Sequence, residues 1–147
     1  MFRSQQFVQE RFGNIAVLDV KTIFANITNT RFPVPEGEVT DTRSDPALIR
    51  SADLIGQLAH TGYLVELAAL FGELAETGAT KALGYNHPDD LRMSYPKFFW
   101  QLVAPLIQGA LNYLEITQEG KQWTANLFAH VFIEEHGGRR RRARRAS

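Results

Sequence analysis

The sequence predicts an all-α fold, on three observations. Apolar residues recur at three- and four-residue spacing in one segment after another. Helix-start residues and glycine or proline stops bracket those segments. No apolar–polar alternation bounded by hairpin turns competes with them. Together they predict five to seven helices.

The elements follow in chain order. "SQQFVQERF" forms a short helix with Phe7, Val8 and Phe12 on one side. "VLDVKTIFANIT" places Leu18, Ile23 and Ile27 near helical spacing and ends near Asn29. "TRFPVPEGEVTDTRSD" carries two prolines, a glycine and many polar residues, so it is a loop, long enough to be functional. Asp45 or Ser44 caps the next helix with Pro46 in its first turn. Leu48, Ala52, Ile55 and Ala59 form its inner stripe. After Thr61-Gly62, "YLVELAALFGELAET" repeats the pattern through Leu64, Leu67, Ala68, Phe71, Leu74 and Ala75, with Gly78 as its C-cap. Asn86 or His87 caps a helix that opens with Pro88 and two acids. Pro96 and Pro105 should start, kink or divide helices beyond it. A last helix runs from a Thr117 cap to a stop at Gly137, with Trp123, Leu127 and Val131 on one side. The expected organisation is therefore one helical domain over 1–136 and a disordered Arg-rich tail over 137–147.

Composition narrows the function classes. There are 147 residues, enough for one domain with a real core, and no cysteine, so disulfides and thiolate metal sites are excluded. No apolar run is long enough for a transmembrane helix, and "MFRSQQFVQERFG" is too polar for a secretory signal, so a cytoplasmic location and no membrane partner are expected. The formal net charge of zero conceals an asymmetry. Six of the 16 basic residues are arginines between Arg139 and Arg145, which leaves ten basic residues against 16 acids in the body, a net charge of −6. An acidic body argues against a specific nucleic-acid partner, while the Arg run could bind nucleic acid or anionic surfaces without specificity.

The segment "SDPALIRSADLIGQLAH" raises the chemical question. At 100° per residue Asp53 stands beside Ala52 and shares a stripe with Ile49, Gly56 and His60. A carboxylate at the edge of an apolar face needs a cation, a hydrogen-bond donor or a metal. Arg50 or Gln57 could answer it within the helix, and a metal is the functional alternative.

The wording of the segment adds a resemblance. "LIRSADLIGQLA", preceded by "FVQERFG", "VLDVKTIFANITNTRFPVP" and a polar loop, resembles the last metal-binding segment of the HD-domain phosphohydrolase superfamily. The flanking "RSADLIGQL", "YPKFFW" and "TQEGKQW" look like a bacterial, cyanobacterial-type subgroup. The resemblance covers roughly residues 4 to 136 and implies an HD-domain-like helical bundle. It also implies Asp53 as the final ligand of a divalent metal, and phosphate ester hydrolysis by a metal-activated water. HD sites also require an early His and an adjacent His-Asp pair. The four histidines here, His60, His87, His130 and His136, are none of them followed by Asp. Only Asp53 carries over. The resemblance is thus to the C-terminal portion of an HD protein, a partial bundle without independent activity that does not hold its metal stably alone. It implies a homo-oligomer or a complementing chain.

Other constellations are weaker. His60 could be a second ligand, or could simply end its helix. His130 and Glu134, four residues apart, read as an exposed helix-face pair, and His87 as a cap. Tyr95, Phe98, Phe99 and Trp100 read as core or as a partner-facing surface. No phosphate-cradling glycine motif and no nucleophile elbow is present. A non-enzymatic helical interaction module, using the 32–44 loop and the aromatic cluster, is the competing reading.

Overall fold

The computed structural model describes residues 2–34, 41–76, 78–82 and 84–145, with the side chains of residues 2, 79, 82 and 139–145 excepted. The described residues form an all-α bundle. The middle of the expected loop, 35–40, lies outside them.

Helix α1 (Phe2–Phe12) packs on α2 (Val20–Asn29) as a peripheral pair. Helix α2 begins later than its apolar pattern suggests because Asp19 caps it. The Asp19 carboxylate accepts from Lys21 N at 3.0 Å, Thr22 N at 3.3 Å and Thr22 Oγ1 at 2.7 Å. The Thr22 hydroxyl bond, first among these contacts, holds the Asp19 carboxyl below its ordinary pKa.

Helix α3 (Asp45–Leu58) has Ser44 at its cap position and Pro46 in its first turn. The Ser44 hydroxyl does not bond the helix. It reaches back to Asp41 O at 2.9 Å. The inner face is Arg50, Ser51, Leu54, Ile55, Leu58 and Ala59, rotated from the expected stripe, and Ala52 is exposed. The rotation follows from the neighbour. Helix α3 packs chiefly on α7 (Ala104–Leu114), where Ser51 Oγ lies 2.7 Å from Ala47 O and 3.0 Å from Leu106 O. The turn that leads into α3 also comes close to α7, since a Cβ on Gly109 would land on Thr42 O.

Helix α4 (Tyr63–Glu76) ends at Gly78, whose φ of +76° makes it the left-handed cap expected from the sequence. The short α5 (Ala79–Ala82) leads to α6 (Pro88–Phe98). His87 caps α6 by accepting from Asp89 N at 3.1 Å, while the Asp90 carboxylate accepts from the N–H groups of Asn86 and His87, both at 2.9 Å. Pro96 sits inside α6 without ending it. Pro105 does disturb the ladder: a π-helical segment, Phe99–Val103, precedes α7, and Ala104 N–H bonds Phe99 O. Pro105 has no N–H to continue the α-pattern at this point.

Helix α8 (Gln118–Arg145) is capped by Thr117, whose Oγ1 accepts from Gly120 N at 3.0 Å. It does not stop at Gly137. It continues through Gly137 and Gly138 to Arg145, and neither glycine takes a positive φ. A helical Gly costs only about 1 kcal/mol, and arginine is both a good helix former and a favourable charge at a helix C-terminus. The core lies where α3, α6, the π segment, α7 and α8 meet, around Phe99, Val103, Ile107, Leu127 and Val131. Among the described residues no single helix is long and apolar enough to cross a membrane. Helices α3 and α4 pass that test only as a pair, bent by 94°.

Candidate functional site

Asp53 lies on α3 about 150° from the centre of the inner face, by the 100° helical step. It is half-buried, on the flank between the α2 contact and an open groove. The expected cation does not answer it. Arg50 is buried and directs Nε to Asn29 O at 2.8 Å, tying α3 to the end of α2. Asp53 has no hydrogen bond or ion pair among the described residues.

Each histidine has a local task away from Asp53. His60 lies past the end of α3 with Nδ1 3.3 Å from Glu66 Oε1, and seven residues of helical rise put it roughly 10 Å from Asp53 along the axis. His87 is a cap. His136 gives its Nδ1 proton to Phe132 O at 2.9 Å within α8. His130 gives its own to Leu58 O at 2.8 Å, which ties α8 to the last turn of α3. Among the described residues no three His, Cys, Asp or Glu side chains converge where one ion could be held.

The surface opens into an apolar cavity of about 440 Å³ between α3, α7 and α8, and Asp53 is not among the residues that line it. Leu48, Ala52, Ile55 and Gly56 form one wall, and Ala110, Tyr113, Leu114 and Trp123 the other. The small side chains of Ala52 and Gly56 create the space. The residues expected to form the inner stripe of α3 therefore line a groove as much as a core.

A second cluster went unseen in the sequence. Helices α4, α6 and α8 enclose Tyr63, Tyr95, His130 and Glu134, with Arg92 closing one side. His130 and Glu134, expected on an exposed face, are both buried. Arg92 donates to the Glu134 carboxylate from Nε at 3.1 Å and also from its terminal nitrogen. Tyr63 stacks on His130 with ring centres 6.1 Å apart and meets Tyr95 at 5.3 Å. The Tyr95 hydroxyl is buried without a hydrogen-bond partner among the described residues. Burial pushes the Tyr63 hydroxyl up to about 12. It pushes Tyr95 higher still, helped by Tyr63 and the Glu134 charge. The signal for this cluster was periodicity: Leu127, His130, Val131 and Glu134 share one face, so the two polar residues had to be buried with the two apolar ones.

The aromatic cluster divides. Tyr95 and Phe99 are core, Phe98 packs against it, and Trp100 is half exposed, with Nε1 donating to Glu135 Oε1 at 2.7 Å.

A family model described as Npun_R2479-like matches residues 1–137, ending just before the arginine run. No curated protein and no solved structure matches the chain.

Proposed function

The chain belongs to the Npun_R2479-like family, and from its own residues we propose that it is the acid-bearing part of an HD-type, metal-dependent phosphohydrolase-related unit, without activity by itself. The observation that carries this reading is Asp53. It is a half-buried carboxylate with no partner among the described residues, on a helix entered through a proline-containing loop, within the Ala52-Asp53-Leu54 wording that resembles the last HD ligand. A carboxylate partly withdrawn from water is costly until a cation or donor answers it.

The residues present do not fit a metal ion alone. One carboxylate fixes no coordination geometry, and the histidines are engaged elsewhere. Asp53 is accordingly one ligand of a centre completed from outside the described residues or from another chain.

The test has two arms. Purified without a His-tag and freed of metal by chelation, the chain should hydrolyse no p-nitrophenyl phosphate with Mn²⁺ or Mg²⁺. Metal-dependent turnover abolished by Asp53→Asn would overturn the claim of incompleteness. The reading frame upstream of Met1, or a co-purifying chain, should supply a His and a His-Asp pair. Finding neither would overturn the HD assignment.

A second reading, a non-enzymatic interaction module, is favoured by the exposure of Val17, Val65 and Ile116, each more than three-quarters accessible. It predicts a stable complex that survives Asp53→Asn and added chelator.

A further inference from the structure

Neither the core nor the Asp53 reading uses the arginine run. Helix α8 has 28 residues and carries Arg139, Arg140, Arg141, Arg142, Arg144 and Arg145 in its last two turns. On a helical backbone these six cations span a rise of about 9 Å, or one per ~1.5 Å. Six cations in so short a length make this the most basic stretch of the sequence. We propose that the C-terminal turns of α8 bind the phosphate backbone of a nucleic-acid duplex without reading its sequence.

Three features select this ligand. All six cations are arginine, whose guanidinium fork pairs with phosphate oxygens in a bidentate way that lysine does not reproduce. The only other residue within the run is Ala143, so these turns have no apolar face to sink into a lipid interface. The exposed Phe132 and Ile133 lie farther back on α8, outside the run. Contacts to phosphate carry position rather than sequence, so a run held against the backbone reads no bases. The acidic body limits contact to the helix end, so at most six phosphates are neutralised.

The test is fluorescence anisotropy of the full chain with two short labelled duplexes of unrelated sequence. Both should bind equally at 50 mM salt, and affinity should fall about 10³-fold by 200 mM, the loss expected for six phosphate contacts. Replacing all six arginines by glutamine keeps helix propensity nearly unchanged. It should abolish binding while leaving the thermal midpoint of the body in place. No binding at 50 mM salt overturns the proposal, as does binding that survives the glutamine variant. Strong preference for one duplex overturns its non-specific character. Binding to phosphatidylserine vesicles without binding to either duplex overturns it in favour of a membrane surface.

Discussion

At the scale of single residues, the informative groups are those whose polarity contradicts their burial. Tyr95 is 3% exposed and its hydroxyl finds no partner among the described residues. An unpartnered buried hydroxyl costs about 1–3 kcal/mol of desolvation, so removing it should not hurt. Tyr95→Phe should leave stability unchanged or raise it by about 1 kcal/mol in urea unfolding. A clear loss would mean that the hydroxyl is bonded. The opposite sign applies to Arg92. Its guanidinium answers a Glu134 side chain with no solvent exposure. Arg92→Ala leaves that carboxylate without its cation and should cost on the order of 3 kcal/mol, recovered in part by adding Glu134→Leu. If Arg92→Ala is silent, the pair is not holding α6 to α8. The sequence held the residues of this cluster but not their meaning. His130 and Glu134 four apart fit an exposed pair as well as a buried one, and only the partner helices, which supply Leu58 O and Arg92, decide between them.

At the scale of elements, starts were legible and some ends were not. Pro46, His87-Pro88, Thr117 and Gly78 are local signals, and local chemistry suffices to read them. The continuation of α8 through Gly137 and Gly138 was not legible, because a glycine pair marks an end only when one residue adopts the left-handed region, and neither does. The rotation of α3 was not legible either, because its inner face is set by where α7 lies. The turn before α3 supplies a sharp prediction, because it too packs on α7. Any side chain on Gly109 runs into the Thr42 carbonyl, and backbone cannot yield as a side-chain tip can. Gly109→Ala should destabilise by about 2 kcal/mol or more in thermal unfolding. Gly56→Ala, on the open groove wall with nothing within 4 Å, should be neutral or mildly stabilising through helix propensity. Equal effects at the two glycines would contradict the close approach of the Thr42 turn to α7 and the open groove wall together.

At the scale of the molecule, the chain divides into a held part and a hung part. Helices α3, α6, α7 and α8 share the core, whereas α2 has no buried residue and α1 rests on α2. The ties from α2 inward are the contact with α3 and the Arg50 bond to Asn29 O. Amide exchange should therefore be fastest in α1 and α2 and slowest around Leu127 and Ile107, since opening costs follow buried contact. Uniform protection would show that the pair belongs to the cooperative unit. Alkaline titration separates the two parts differently. Tyr63 and Tyr95 sit between α4, α6 and α8, and burial raises both hydroxyls above the ordinary 10. A raised folded value means that the stabilisation is complete below pH 10 and drains away as pH climbs from 10 through about 12. Tyrosinate absorbance should then show a late phase coincident with loss of helix, absent from the double variant Tyr63→Phe, Tyr95→Phe. The α1–α2 pair contains no tyrosine, so its detachment should leave that phase untouched, and a late phase that shifted on opening of α1–α2 would place the peripheral pair inside the same folding unit as the tyrosine cluster.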